Sequence, residues 1–163
     1  MKIDSYRNQN WLESLLSYVW GAHFSDIARS NQIKIIFGKK AKRRLGSIGL
    51  DSNDPSISII RINPIFQDME VPQFVVVATI VHEMTHYAHG FNSPLQQKQQ
   101  HPHRGGVIKQ EFAERGLEYM YLEQQTWLKE NWPRILDKYF APTTHRSSTR
   151  SVKVILPWWM PRL

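Results

Sequence analysis

Residues 74–89, FVVVATIVHEMTHYAH, carry one continuous helical pattern with Pro72 just ahead of it and Gly90 just behind. Proline suits the first turn of a helix because the N–H it lacks would have no partner there, and glycine accepts the left-handed conformation in which many helices end. At 100° per residue, Phe74, Val77, Val81, Met84 and Ala88 fall on one side, with His82 and His86 on a neighbouring strip. A core face and a separate histidine face are therefore expected, and the rest of the chain has to supply the surface against which that core face packs.

Ahead of this segment, Trp11, Leu12, Leu15, Leu16, Val19, Ile27 and Ala28 recur at three- and four-residue spacing, predicting an amphipathic helix whose weak point is Gly21. Three short strand candidates follow at residues 33–37, 45–50 and 57–62, the last two separated by the turn signal Asp51-Ser52-Asn53-Asp54-Pro55. Consecutive short strands with tight turns suggest an antiparallel meander. Residues 92–106, rich in Gln, Pro and Gly, read as a loop; Ile108, Phe112, Leu117, Met120 and Tyr121 then resume a helical pattern to about residue 129. Pro133 is expected to begin a shorter helix that Pro142 ends. The fold class is α+β: an N-terminal helix, a small three-stranded antiparallel sheet, the histidine-bearing helix and further C-terminal helices. Residues 1–142 are assigned to one domain and residues 143–163 to a basic tail with a candidate strand at Val152-Lys153-Val154-Ile155-Leu156.

A length of 163 residues fits one core, and 41% hydrophobic content is enough to pack it. The absence of cysteine excludes disulfides, thiolate nucleophiles and cysteine-based metal sites, so any metal must be held by histidines and carboxylates. Asp4, Arg7 and Glu13 interrupt the N-terminus before an apolar run develops, and nowhere do 18 uncharged apolar residues follow one another. A cytoplasmic protein without a membrane segment is expected. The net charge of +7 favours anionic partners, although it also serves solubility.

His82-Glu83-Met84-Thr85-His86 is an HExxH quintet. Residues four apart on a helix project side by side, so both imidazoles can reach one zinc ion at about 2.0–2.1 Å. Glu83, one step around the helix, can then face a water whose proton it takes during attack on a carbonyl and passes to a leaving amine. The chance expectation for such a quintet in a chain of this length and composition is roughly 1–2%. Catalytic zinc uses three protein ligands, so a third is needed. His89 shares the helix face, but the seven-residue rise from His82 separates them by about 10 Å, too far for one ion, and His89 reads as a supporting or solvated residue. His101 and His103 in the loop, or Glu111 and Glu114 near the start of the next helix, are the remaining candidates.

Arg44-Leu45-Gly46-Ser47, then Ile60-Arg61-Ile62-Asn63-Pro64, then Val81-His82-Glu83-Met84-Thr85-His86, and later His103-Arg104-Gly105-Gly106 with Gly116-Leu117 together resemble the SprT-like zinc metallopeptidase domain (Spartan-related) over residues 11–120. The resemblance implies a helix packed on a small antiparallel sheet, zinc held by His82, His86 and His103, and Glu83 as general base. The sequence departs from the pattern by the intervening Arg104 and by lacking a Cys-rich zinc ribbon. His103 is chosen as third ligand also because Pro102 holds His101 extended and the glycines after Arg104 allow a tight turn.

The expected activity is zinc-dependent hydrolysis of a protein or peptide substrate, laid along a sheet edge assigned to residues 57–62. The alternative is a nucleic-acid-associated zinc-binding module with little or no turnover. Candidate DNA contacts are Lys39-Lys40-Ala41-Lys42-Arg43-Arg44 and the tail tryptophans Trp158 and Trp159 near Arg162. The simpler reading of these segments is a solvated strand connection and a docked tail. Tyr87, Arg104 and His101 lie near the motifs as candidate oxyanion donors.

Overall fold

A computed structural model describes residues 7–141. The basic tail at residues 143–163, with its candidate strand and tryptophans, lies outside the described residues.

Helix α1 (Gln9–His23) begins where the Asn8 side chain accepts from the Trp11 N–H, and it buries Leu12, Leu15, Val19 and Trp20 at helical spacing. It runs through Gly21, whose surroundings are open, so the expected weak point does not break it; Ile27 and Ala28 fall in the loop beyond. Strands β1 (Ile33–Phe37), β2 (Gly46–Leu50) and β3 (Ser58–Ile62) form one sheet in the order β1-β3-β2.

The expected antiparallel meander is corrected here. β3 pairs parallel with β1, Ile35 opposite Ile60, and antiparallel with β2, Ile48 opposite Ile60. β3 is thus the central strand and cannot offer a substrate the edge assigned to residues 57–62. Its sequence gives the reason: Ser58, Ile59, Ile60 and Ile62 are all buried, as suits a strand flanked by a neighbour on each side. The free edges belong to β1 and β2.

After a 3-10 turn at Pro64–Gln67, helix α2 (Gln73–Ala88) carries the quintet. The expectation of one core face and one histidine strip also gives way. Every residue of α2 from Val75 on is buried, because the helix contacts β2, β3, α1 and two later helices at once. Gly90 follows with φ +80°, and a Cβ there would stand 2.6 Å from the Gln96 carbonyl, so the succeeding loop folds tightly against the helix end.

The loop leads into α3 (Val107–Glu114) and α4 (Glu118–Phe140). A single helix to about residue 129 followed by a short one was expected; instead the break falls at Gly116, whose φ of +71° lets the Leu117 N–H bond the Phe112 carbonyl. Pro133 lies within α4. Burial keeps the helix continuous there, with Trp132 against Phe66 at a ring separation of 5.7 Å and Ile135 fully enclosed. Among the described residues no helix is long and apolar enough to cross a membrane.

Candidate metal centre

The i, i+4 spacing on α2 brings His82 Nε2 and His86 Nε2 to 3.1 Å. His103 arrives from the loop before α3: its ring stacks on His82 at 5.6 Å and meets His86 edge-on at 4.6 Å. Gly105 and Gly106, with φ of +69° and +71°, turn the chain from His103 directly into α3. One nitrogen from each of the three rings lies within 4.8 Å of the others, a group that could hold a metal ion.

The donor set suits a cation. Burial, reinforced by the charge each neighbouring imidazole would carry, pushes His82 well below the ordinary histidine range and His86 down to about 3. Burial pushes His103 down to about 4. All three rings are therefore neutral at pH 7 and have lone pairs to offer. Tetrahedral bonds of about 2.0–2.1 Å would separate two ligand nitrogens by roughly 3.3 Å, close to the His82–His86 separation.

Glu83 lies beside this group with only 5% of its surface exposed. Burial pushes its carboxyl up to about 8, a rise opposed by the Ile48 N–H, which donates to it, and by the charge of Arg44. Gly46 is what lets the helix approach the strand so closely: a Cβ there would fall 2.9 Å from both Glu83 Oε1 and Thr79 Cγ2. A cleft of about 320 Å³ opens over the four residues. Arg44, Gly46, Ser47 and Ile48 line one side, and Phe91, Asn92 and Pro102 the other. Asn92, at φ +52°, ties the two sides together by donating from Nδ2 to the Ile48 carbonyl, while its own carbonyl accepts from Ser58 Oγ.

The other ligand candidates stand elsewhere. His101 and Glu114 are exposed, and Glu114 accepts from Gln110. Glu111 is buried, but its Oε2 is 2.8 Å from His89 Nε2 and its Oε1 faces Arg115. These hydrogen bonds hold its carboxyl down to about 2 against the effect of burial. His89 is therefore buried and paired. Of the oxyanion candidates, Tyr87 donates to Asn31 Oδ1 and does not line the cleft, and Arg104 is exposed at the turn into α3.

Sequence reasoning missed Ile48 and Asn92, because nothing in their spacing links a strand amide or a loop amide to a helix carboxylate. The Lys39-to-Arg44 run is the β1–β2 connection, with Lys40 and Lys42 lying over aromatic rings at the end of α4 and Asn63 Nδ2 holding the Ala41 and Arg44 carbonyls. No protein-family model, curated protein or solved structure matches the chain.

Proposed function

We propose that the chain is a zinc metallopeptidase of the SprT-like kind, with His82, His86 and His103 as ligands and Glu83 as general base. The observation that carries this reading is the conjunction of three neutral imidazoles, with one nitrogen from each within 4.8 Å of the others, and a buried carboxyl on the adjacent helix position, all facing one cleft. Three nitrogens with no carboxylate among them suit zinc, which takes imidazole readily and in catalytic sites keeps a position open. Bound there, zinc supplies Lewis acidity, acidifying water and polarising a carbonyl, and its charge favours the ionised form of Glu83.

The chain's own residues do the remaining work. Glu83 takes a proton from the attacking water and delivers it to the departing amine. The Ile48 N–H orients that carboxylate from the strand side. β2 is the edge on which a peptide would lie. The Asn63 N–H bonds the Leu45 carbonyl and the Asp51 N–H bonds Ile57, so odd-numbered residues of β2 face β3 and the backbone groups of Gly46, Ile48 and Leu50 face the cleft side. Because the Ile48 N–H and C=O are already taken by Glu83 and Asn92, an extended substrate would pair by strand addition at the Gly46 end of this edge.

Metal analysis of the purified protein and a casein or peptide digestion assay, with and without chelator and DNA, test the reading. One zinc per chain with chelator-sensitive cleavage that disappears in a zinc-loaded Glu83→Gln variant is the expected result. Stoichiometric zinc without cleavage under any condition would favour the nucleic-acid-associated module instead.

A further inference from the structure

We propose that Arg44 and Arg61 form a receptor for the carboxylates of acidic peptide substrates, an inference that rests on the peptidase reading. A second groove, of about 510 Å³, adjoins the catalytic cleft and shares Arg44, Gly46 and Ser47 with it. Arg61 and Ser47 are register partners and so stand on one face of the sheet, the face opposite the one that carries Ile60.

The side chain of Arg61 lies flat on that face. A Cβ on Gly38 would sit 3.1 Å from Arg61 Cβ, and a Cβ on Gly49 would sit 3.2 Å from Arg61 Nη1. The guanidinium therefore extends over β2, the strand whose free edge borders the cleft. Arg44, from the turn ahead of β2, lines the same groove as Arg61. Among the described residues neither arginine is in a close ion pair, although the charge of Arg44 is felt by Glu83 in the adjoining cleft, and the groove itself is lined by no acidic side chain. Arg115 and Arg134, by contrast, are both paired with acids.

Strand geometry makes these cations a reader of peptide side chains. Successive side chains of a strand added to β2 point to opposite faces, so every second one is directed to the side where Arg61 lies. A guanidinium there can bind an aspartate or glutamate through two parallel hydrogen bonds. Nucleic acid fits this groove less well. The one ring in its lining, Phe37, packs against the hydrophobic core and offers no platform for stacked bases.

The test digests a proteome-derived peptide library with the zinc-loaded full-length protein. Asp and Glu are expected at alternating positions on one side of the cut, with roughly a tenfold advantage in kcat/KM over neutral peptides. Arg61→Glu is expected to move the enrichment to Lys and Arg, and Arg61→Lys to retain part of the acidic preference. Arg44→Glu, in an exposed turn, gives the same reading should Arg61→Glu fold poorly. A library that is cut without acidic enrichment, or a profile that both reversals leave unchanged, overturns the receptor while the peptidase reading stands. If nothing is cut, the peptidase reading fails, and anisotropy of labelled oligoglutamate, neutral peptide and duplex DNA on the full-length protein decides. Preferential binding of oligoglutamate that Arg61→Glu abolishes supports the receptor. Tighter binding of DNA through the same arginines, or no preference among the three probes, overturns it.

Discussion

The imidazole of His89 and the carboxylate of Glu111 are joined by a 2.8 Å hydrogen bond between two buried residues 22 positions apart. The other oxygen of Glu111 is 2.6 Å from Arg115, which in turn reaches Asp26 at 2.8 Å and the carbonyl of His23. The chain of contacts ties the end of α2, one turn beyond His86, to α3 and to the loop after α1. Since α3 begins directly behind the His103 turn, the clamp fixes where the loop carrying His103 returns to the fold.

Removing the charge of Glu111 leaves the buried His89 and the half-buried Arg115 to share a weaker partner. Glu111→Gln should cost about 2–3 kcal/mol and lower the melting temperature by on the order of 5–10 °C, while one metal per chain is retained. Thermal denaturation with parallel metal analysis checks this. Loss of the metal at an unchanged melting temperature would instead make Glu111 a ligand.

The same carboxylate gives a pH signature. Its acidity in the folded chain, about 2, lies below the ordinary value of 4.5, so the folded state resists taking the proton. The stability it contributes is present above about 4.5 and is lost as pH falls from there through about 2. The stability gap between the natural chain and Glu111→Gln should accordingly narrow as pH falls below 4.5. Urea titrations at and below that pH decide it; a gap that widens below 4.5 would contradict the assignment.

His103→Ala should weaken zinc binding by more than the roughly 10–100-fold that loss of an outer partner costs, and should abolish cleavage. His101→Ala, at an exposed position, should keep both within about twofold. Competition with a chromophoric chelator measures each affinity. Tight zinc binding by His103→Ala would remove His103 from the ligand set.

Gly46→Ala tests the close packing of strand on helix. Its methyl group would displace Glu83, whose Oε1 and Cγ would lie 2.9 and 3.1 Å from the new carbon. A displacement of the base by even 1 Å can cost about 10²-fold in rate, so kcat/KM should fall by roughly that factor with zinc stoichiometry unchanged. Undiminished turnover would show that the base does not depend on this contact.

Much of the site was legible because its signals are local. The His-x-x-x-His spacing, the strand segments and the glycine behind α2 each state a geometry within a few residues. That His103 comes from the loop to join His82 and His86 was legible only through the resemblance and the turn chemistry around His103. What was not legible depends on partners distant in sequence. Strand order is set by which strand takes a neighbour on each edge, and a meander of three short apolar runs leaves that open until β3 is seen between its neighbours. Pro133 reads as a helix start because its missing N–H is usually placed there, yet the packing of Trp132 and Ile135 outweighs that preference. The pairing of His89 with Glu111, and of Ile48 with Glu83 and Asn92, joins residues that no periodicity connects.

The contacts made by Ile48 also bear on how copies of the chain behave toward one another. A strand with unpaired N–H and C=O groups along its margin is a template onto which another molecule can stack. Here the mid-strand N–H is covered by the Glu83 carboxyl and the C=O by the Asn92 amide, so that margin is blunted at its centre and open only toward its ends. The arrangement around the Glu83 carboxyl therefore also discourages edge-to-edge assembly through β2, and a substitution at Asn92 would reopen that margin as well as alter the cleft.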